Sequence, residues 1–337
     1  MIFSPELFKR FLRDAFLGFI GCCLFVAVLA TVVEAQTKKV RVAVPGYTIA
    51  VLSFLAAKMN GYYAGEGLDV ELIAMRAPTA NLALIGGNVE FSAVPLAGLT
   101  TALRGAPLKL IFCQFDKPQH SLYAKPEFPN IKALRGKKVA VSGLGTIDDI
   151  LLREALGGGG VDPARDVTVL AMGAADTRFS ALVSGAIDAS MLIAPTSFYA
   201  KDQGFRELVA FQDLGFVLPS GGIVARDETL KNDPITAERF VRATIMGFLF
   251  MRDNRPGTLK VMSRMLRIDE PTAAKLYDAS RPTLTNDGTV TGESEKKMTA
   301  MVLKIAGVKE APPTDKLYDF SLVKKAHAAL QAKGWRP

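Results

Sequence analysis

Apolar residues along this chain follow two alternating rhythms. Runs at residues 40–44, 68–75, 89–93 and 108–112 are apolar throughout or alternate with polar positions, as buried and half-buried strands do. Between them apolar positions recur at the spacing of a helix that buries one face. The predicted helices cover 50–59, stopped by Asn60-Gly61, then Pro78-Thr79 to Gly86-Gly87, then a stretch ending at Gly105. The order then returns, with strands at 138–141, 167–172 and 187–193 and helices at 149–156 and 177–183. Gly157 to Gly160, Gly185 and Pro195 punctuate this second set. Alternating strands and helices predict parallel βαβ units and an α/β fold. From 236 onward the pattern is helical, over 236–252, 257–265, 270–280, 293–305 and 322–333.

The second set repeats the first in its residues. Arg41-Val-Ala-Val-Pro-Gly46 is echoed by Lys138-Val-Ala-Val-Ser-Gly143, 97 positions on, and Leu84 to Ser92 by Leu182 to Ser190, 98 positions on. This period is too long for a solenoid unit and has the size of a small lobe. Two lobes imply a cleft, where ligands bind. Residues 121–126 and 221–226 read as the links into and out of the second lobe, and two crossovers make a hinge. The helical tail has no match in the second lobe, so it is expected to return to the first. The predicted division is 36–123 plus 225–337 for lobe I and 124–224 for lobe II.

The first 35 residues stand apart. Lys9, Arg10 and Arg13 precede an uncharged run over 15–33, and Val33-Glu34-Ala35 is like a small-residue cleavage site. The segment reads as a secretory signal peptide; the run of 19 residues is also just long enough for an uncleaved anchor. Either way the rest is exported, to the periplasm. Cys22 and Cys23 fall in this leader, which leaves Cys113 without a disulfide partner, in a run that reads as a buried strand. The net charge of +8 is scattered, with no long basic run, which argues against nucleic acid as a partner; a mildly positive field suits an anionic small ligand, and generic solubility explains it equally well.

In open sheets ligands sit at the carboxyl ends of strands. Four loops qualify: Pro45-Gly46-Tyr47-Thr48, Ser92-Ala-Val94-Pro95, Ser142-Gly143-Leu-Gly145-Thr146 and Ile193-Ala194-Pro195-Thr196. The third is the richest in donors. Its glycines bring backbone close, Ser142 and Thr146 carry hydroxyls, and a helix N-terminus follows. An ordinary turn with Thr146 as N-cap explains the same residues. Tyr47 stacks on a ligand or packs on its own lobe; Ser92 faces a ligand or bonds local backbone. Arg178 begins a helix after Asp176-Thr177 and stands either near the cleft or, as the plainer reading, on the surface. Glu90 and Asp188 read as structural acids, because both stand where a strand begins. Catalytic and cofactor chemistry finds no support: His120 and His327 stand beside no nucleophile, no Cys/His cluster has metal spacing, and neither a Gly-x-Ser-x-Gly elbow nor a P-loop occurs.

The joint order of Phe54-Leu-Ala-Ala-Lys-Met-Asn-Gly-Tyr-Tyr63, Gly67 to Leu72, Leu84 to Ser92, Gly105 to Lys109, Leu134 to Gly143 and Ser184 to Asp188 resembles the substrate-binding proteins of ABC importers in the nitrate, sulfonate and taurine (NMT1/SsuA-like) group. The resemblance implies a two-lobed type II periplasmic-binding-protein fold, monomeric, that closes on a small ligand and presents it to a membrane permease. The family's ligands are nitrate, alkanesulfonates, taurine and pyrimidine or aromatic compounds. With the positive charge of the chain, the expected ligand is a small organic anion, a sulfonate, nitrate, carboxylate or pyrimidine-like compound. It implies binding loops at Gly46 to Thr48, Ser92 to Pro95, Ser142 to Thr146 and Ala194 to Thr196. It implies no cofactor and no enzymatic activity, and the cysteine-rich motif of the pyrimidine-synthase members is missing. The rival readings are a secreted enzyme on this scaffold and a ligand sensor without transport.

Overall fold

The computed structural model describes residues 37–337. The predicted leader and its cleavage site lie outside the described residues. The first sheet takes β1 (Lys38–Val44), β2 (Leu68–Ala74), β3 (Phe91–Ser92) and β4 (Leu108–Phe115). The second takes β5 (His120–Ala124), β6 (Lys138–Val141), β7 (Thr168–Ala171), β8 (Ala189–Ile193) and β9 (Arg206–Ala210). Then β10 (Gly221–Arg226) returns to the first. In the first lobe the helices are α1 (Leu52–Met59), α2 (Tyr62–Gly65), α3 (Ala77–Ile85) and α4 (Pro95–Leu103). In the second they are α5 (Ile147–Gly158), α6 (Ala175–Val183) and α7 (Thr196–Asp202). The tail holds α8 (Asp227–Asn232), α9 (Pro234–Asp253), α10 (Arg255–Leu266), α11 (Glu270–Ser280), α12 (Gly292–Ala306) and α13 (Ser321–Ala332).

The two sheets have one plan. Their strand orders are β2-β1-β3-β10-β4 and β7-β6-β8-β5-β9. Each has a strand that arrives from the other lobe and lies antiparallel between the third and fourth strands. The segments expected to be mere links, 121–126 and 221–226, are therefore largely strands, and the sheets are mixed instead of wholly parallel. A strand that crosses from the opposite lobe enters the sheet from the cleft end and so runs against its neighbours. By sheet membership the crossings fall between Phe115 and His120 and between Ala210 and Gly221.

Register carries the repeat down to single residues. Val42 pairs with Phe91 and Ala43 with Ser92; Val139 pairs with Ala189 and Ala140 with Ser190. The expected role of the repeated acids holds. Glu90 accepts from the Arg41 N–H at 2.6 Å, and Asp188 accepts from the Lys138 N–H at 2.9 Å. In return the Glu90 and Asp188 N–H groups donate to the Arg41 and Lys138 carbonyls. The change of offset from 97 to 98 also has a place. Met75 donates to Val44 as Met172 does to Val141, whereas Ala80 donates to Arg76 as Arg178 does to Ala174. The extra residue is Gly173, whose φ of 74° suits glycine.

The tail packs on the first lobe, as expected. Phe240 of α9 stacks on Phe91 at 4.3 Å and on Tyr63 at 5.6 Å between ring centroids. The Tyr63 and Thr244 hydroxyls are 2.9 Å apart, and Arg242 pairs with Glu66. Gly247 lets α9 approach α1 closely, since a Cβ there would overlap the Ser53 carbonyl oxygen. Cys113 is fully buried in β4, and burial pushes its thiol well up, so it is inert.

Candidate functional site

All four candidate loops stand at carboxyl ends of parallel strands. Parallel pairing of β1 with β3 sets the 45–48 loop beside 93–95, and pairing of β6 with β8 sets 142–146 beside 194–196. Ala194 and Phe198, from lobe II, pack against the hydrophobic core of lobe I. The second wall therefore meets the first.

On the lobe I wall Tyr47 is 51% exposed and its hydroxyl reaches the Leu72 carbonyl at 3.4 Å, across the end of β2. The Thr48 N–H donates to the Gly46 carbonyl. Ser92 is fully buried, and its hydroxyl accepts from the Val94 N–H at 3.4 Å. Pro95 opens α4, and Val94 is only partly buried beside it. On the lobe II wall the Ala194-Pro195 bond is cis, and the Thr196 hydroxyl, itself buried, donates to the Ile193 carbonyl at 2.7 Å.

The donor-rich loop is the most built. Asp148 accepts from the Ser142 N–H and the Ser142 hydroxyl, each at 2.7 Å, and from the Thr146 hydroxyl. Asp149 accepts from the Gly145 N–H at 2.8 Å and from Arg153 at 2.9 Å. Both carboxylates lie in the first turn of α5, and only 1% and 3% of the two residues is exposed. They stabilise the helix start as an anion would. Thr146 is the N-cap residue, yet its side chain makes no capping bond; it donates instead to the Gly143 carbonyl and to Asp148. The hydroxyls and the Ser142 and Gly145 N–H groups are thus already engaged by the chain itself.

Arg178 is a correction. It is 3% exposed, not a surface residue, and lies 3.6 Å from Asp148. Its guanidinium also donates to the Met191 and Gly173 carbonyls. Burial pushes the Asp148 carboxyl up, but His120, the Thr146 and Ser142 hydroxyls and Arg178 outweigh it and hold it below its usual value. Burial likewise lowers His120, whose Nδ1 has no hydrogen-bond partner among the described residues. Among the described residues no cluster could hold a metal ion, and no helix is long and apolar enough to cross a membrane.

Sequence reasoning missed two residues here. Leu144, between the loop glycines, is 65% exposed; counting 97 positions back reaches Tyr47, the other exposed apolar side chain of these loops. Arg76 follows β2, is exposed, and makes no ion pair or hydrogen bond through its side chain among the described residues.

The family model NMT1/THI5 like matches residues 49–256. No curated protein matches this chain. Several solved structures share its fold. A protein of Bordetella bronchiseptica RB50 is 21% identical, with 88% of this chain and 99% of that one covered and a TM-score of 0.76. The periplasmic aliphatic sulphonate binding protein SsuA of Escherichia coli is 18% identical over 80% of this chain and 91% of that one, at 0.64. The periplasmic nitrate-binding protein NrtA of Synechocystis PCC 6803 is 13% identical over 88% and 90%, at 0.68. The two-lobed architecture expected from the resemblance is the one observed.

Proposed function

The chain belongs to the NMT1/THI5-like family, and on that premise we propose that it is an exported solute-binding protein serving an ABC importer. It captures a small organic anion between its lobes and presents it to a permease at the membrane. The observation that carries this reading is the matched pair of loop sets at the carboxyl ends of two sheets built on one plan. The sulphonate-binding and nitrate-binding names of the structural neighbours support the ligand class.

The site comprises Gly46, Tyr47, Thr48, Ser92, Val94 and Pro95 on one wall, and Ser142, Gly143, Gly145, Thr146, Ala194, Pro195 and Thr196 on the other. A ligand that touches both walls only when they approach favours the closed state, so binding is a population shift about the two crossovers. The protein works as a monomer in the periplasm, without cofactor or turnover. Native mass spectrometry of the purified full chain tests the reading. A co-purified small organic acid, with a contraction seen by X-ray scattering on adding it back, is the expected result. Conversion of that acid on long incubation favours an enzyme instead, and no bound or binding small molecule of any class sinks the proposal.

A further inference from the structure

We infer that the ligand is a singly charged organic acid with a broad apolar body, gripped between Tyr47 of lobe I and Leu144 of lobe II, with its anionic group at Arg76. This rests on the solute-binding reading and narrows it. The repeat places Tyr47 and Leu144 at equivalent points, one on each wall, and both are exposed although large and apolar. A surface leucine alone means little. Two apolar side chains at matched positions of facing loops form a pair of jaws that lose water together on closure.

Charge is distributed unequally between the walls. On lobe II the carboxylates of Asp148 and Asp149 take up the loop donors and are themselves matched by Arg178 and Arg153. That wall is neutral as a set of pairs, and an added anion there would stand beside two buried carboxylates. On lobe I, Arg76 stands at the carboxyl end of β2, the strand whose Leu72 carbonyl receives the Tyr47 hydroxyl. Its guanidinium is unpaired among the described residues. An arginine of this kind binds a carboxylate or sulfonate by two parallel hydrogen bonds. One charge anchor and two apolar jaws select an amphipathic monoanion over an inorganic ion or a dianion.

Calorimetry of the full chain against benzenesulfonate, hexanesulfonate, benzoate, benzamide, benzene-1,3-disulfonate, nitrate and sulfate tests the inference. The monoanions with apolar bodies should bind; the disulfonate and the inorganic ions should not. Leu144→Ala and Tyr47→Ala should each weaken the best monoanion about tenfold, the worth of a partly buried apolar side chain. Leu144→Met should restore most of that loss. Arg76→Ala should cost about tenfold or more and bring the monoanion down to the level of benzamide, while Arg76→Lys retains part of the difference. All three positions are exposed, so thermal midpoints should stay unchanged. Nitrate or sulfate binding as tightly as benzenesulfonate would falsify the inference. So would a co-purified ligand that is uncharged, hydrophilic or doubly charged, or jaw variants that bind the monoanion as the parent does; in those cases solute binding itself survives. Absence of any ligand, added or co-purified, removes both readings.

Discussion

The two glycine loops begin from the same Val-Ala-Val strand and are secured by opposite means. Counting 97 positions back from Asp148 and Asp149 reaches Val51 and Leu52. In lobe I this first helical turn is apolar, fully buried, and joined to the core that includes Phe54 and Phe240. In lobe II the same turn buries two carboxylates, and hydrogen bonds to the loop replace packing. The duplicated backbone tolerates both solutions because each satisfies its own buried groups. The lesson concerns function as much as stability: the apolar solution leaves lobe I free to offer a charge to a ligand, whereas lobe II has consumed its donors internally.

The strongest way to break this comparison is to give lobe II the lobe I solution. Asp148→Leu leaves Arg178 buried without its partner and orphans the Ser142 N–H, so it should lower stability by about 3–5 kcal/mol in denaturant titration. Adding Arg178→Met should recover much of that loss, because removing both charges together spares the uncompensated one. A single variant as stable as the parent would show that Asp148 is only filling space.

Acid should separate the loops next. The Asp148 carboxyl titrates below its usual 3.8 in the folded protein. Its contribution is therefore full above 3.8 and is lost as the pH falls through the lower, folded value. Hydrogen exchange at 142–149 should accelerate in that window while 45–52, anchored by Val51 and Leu52, holds its protection. Equal acceleration in both loops would remove the distinction.

The smallest effect tests where the lobes agree. Glu90→Gln and Asp188→Asn each weaken an equivalent hydrogen bond to the backbone of the neighbouring strand, at Arg41 and at Lys138. Each should cost about 1 kcal/mol by thermal denaturation. A difference of several-fold between them would mean that the lobes diverge here too.

The architecture was legible because its signals are local and repeated. Glu90 and Asp188 were placed correctly by their position at strand starts, and the helical tail by its lack of a counterpart. The errors came from reading single residues without the repeat. Arg178 looked like a surface arginine, yet 98 positions back stands Ala80, fully buried; the equivalence would have put Arg178 on the inner face of α6. Strand β9 went unread because Arg206-Glu207 opens it with charge, and β5 and β10 because a strand that changes lobes looks like a connector from both sides. The filling of the third loop was illegible for a different reason. Loop glycines and hydroxyls advertise donors equally well whether a ligand or a neighbouring aspartate will take them, and only coordinates tell the two apart.

The exchange of β5 and β10 between the sheets sets the order in which this molecule can be built. Since β10 lies between β3 and β4, those two strands have nothing to pair with across the gap until residues 221–226 have emerged. The amino-terminal half therefore waits, unclosed, for the whole of the second lobe to be synthesised behind it. Such long-range pairing slows folding. The second sheet, by contrast, has all five of its strands within residues 120–210, so the lobe made later can close first and the lobe made earlier closes last.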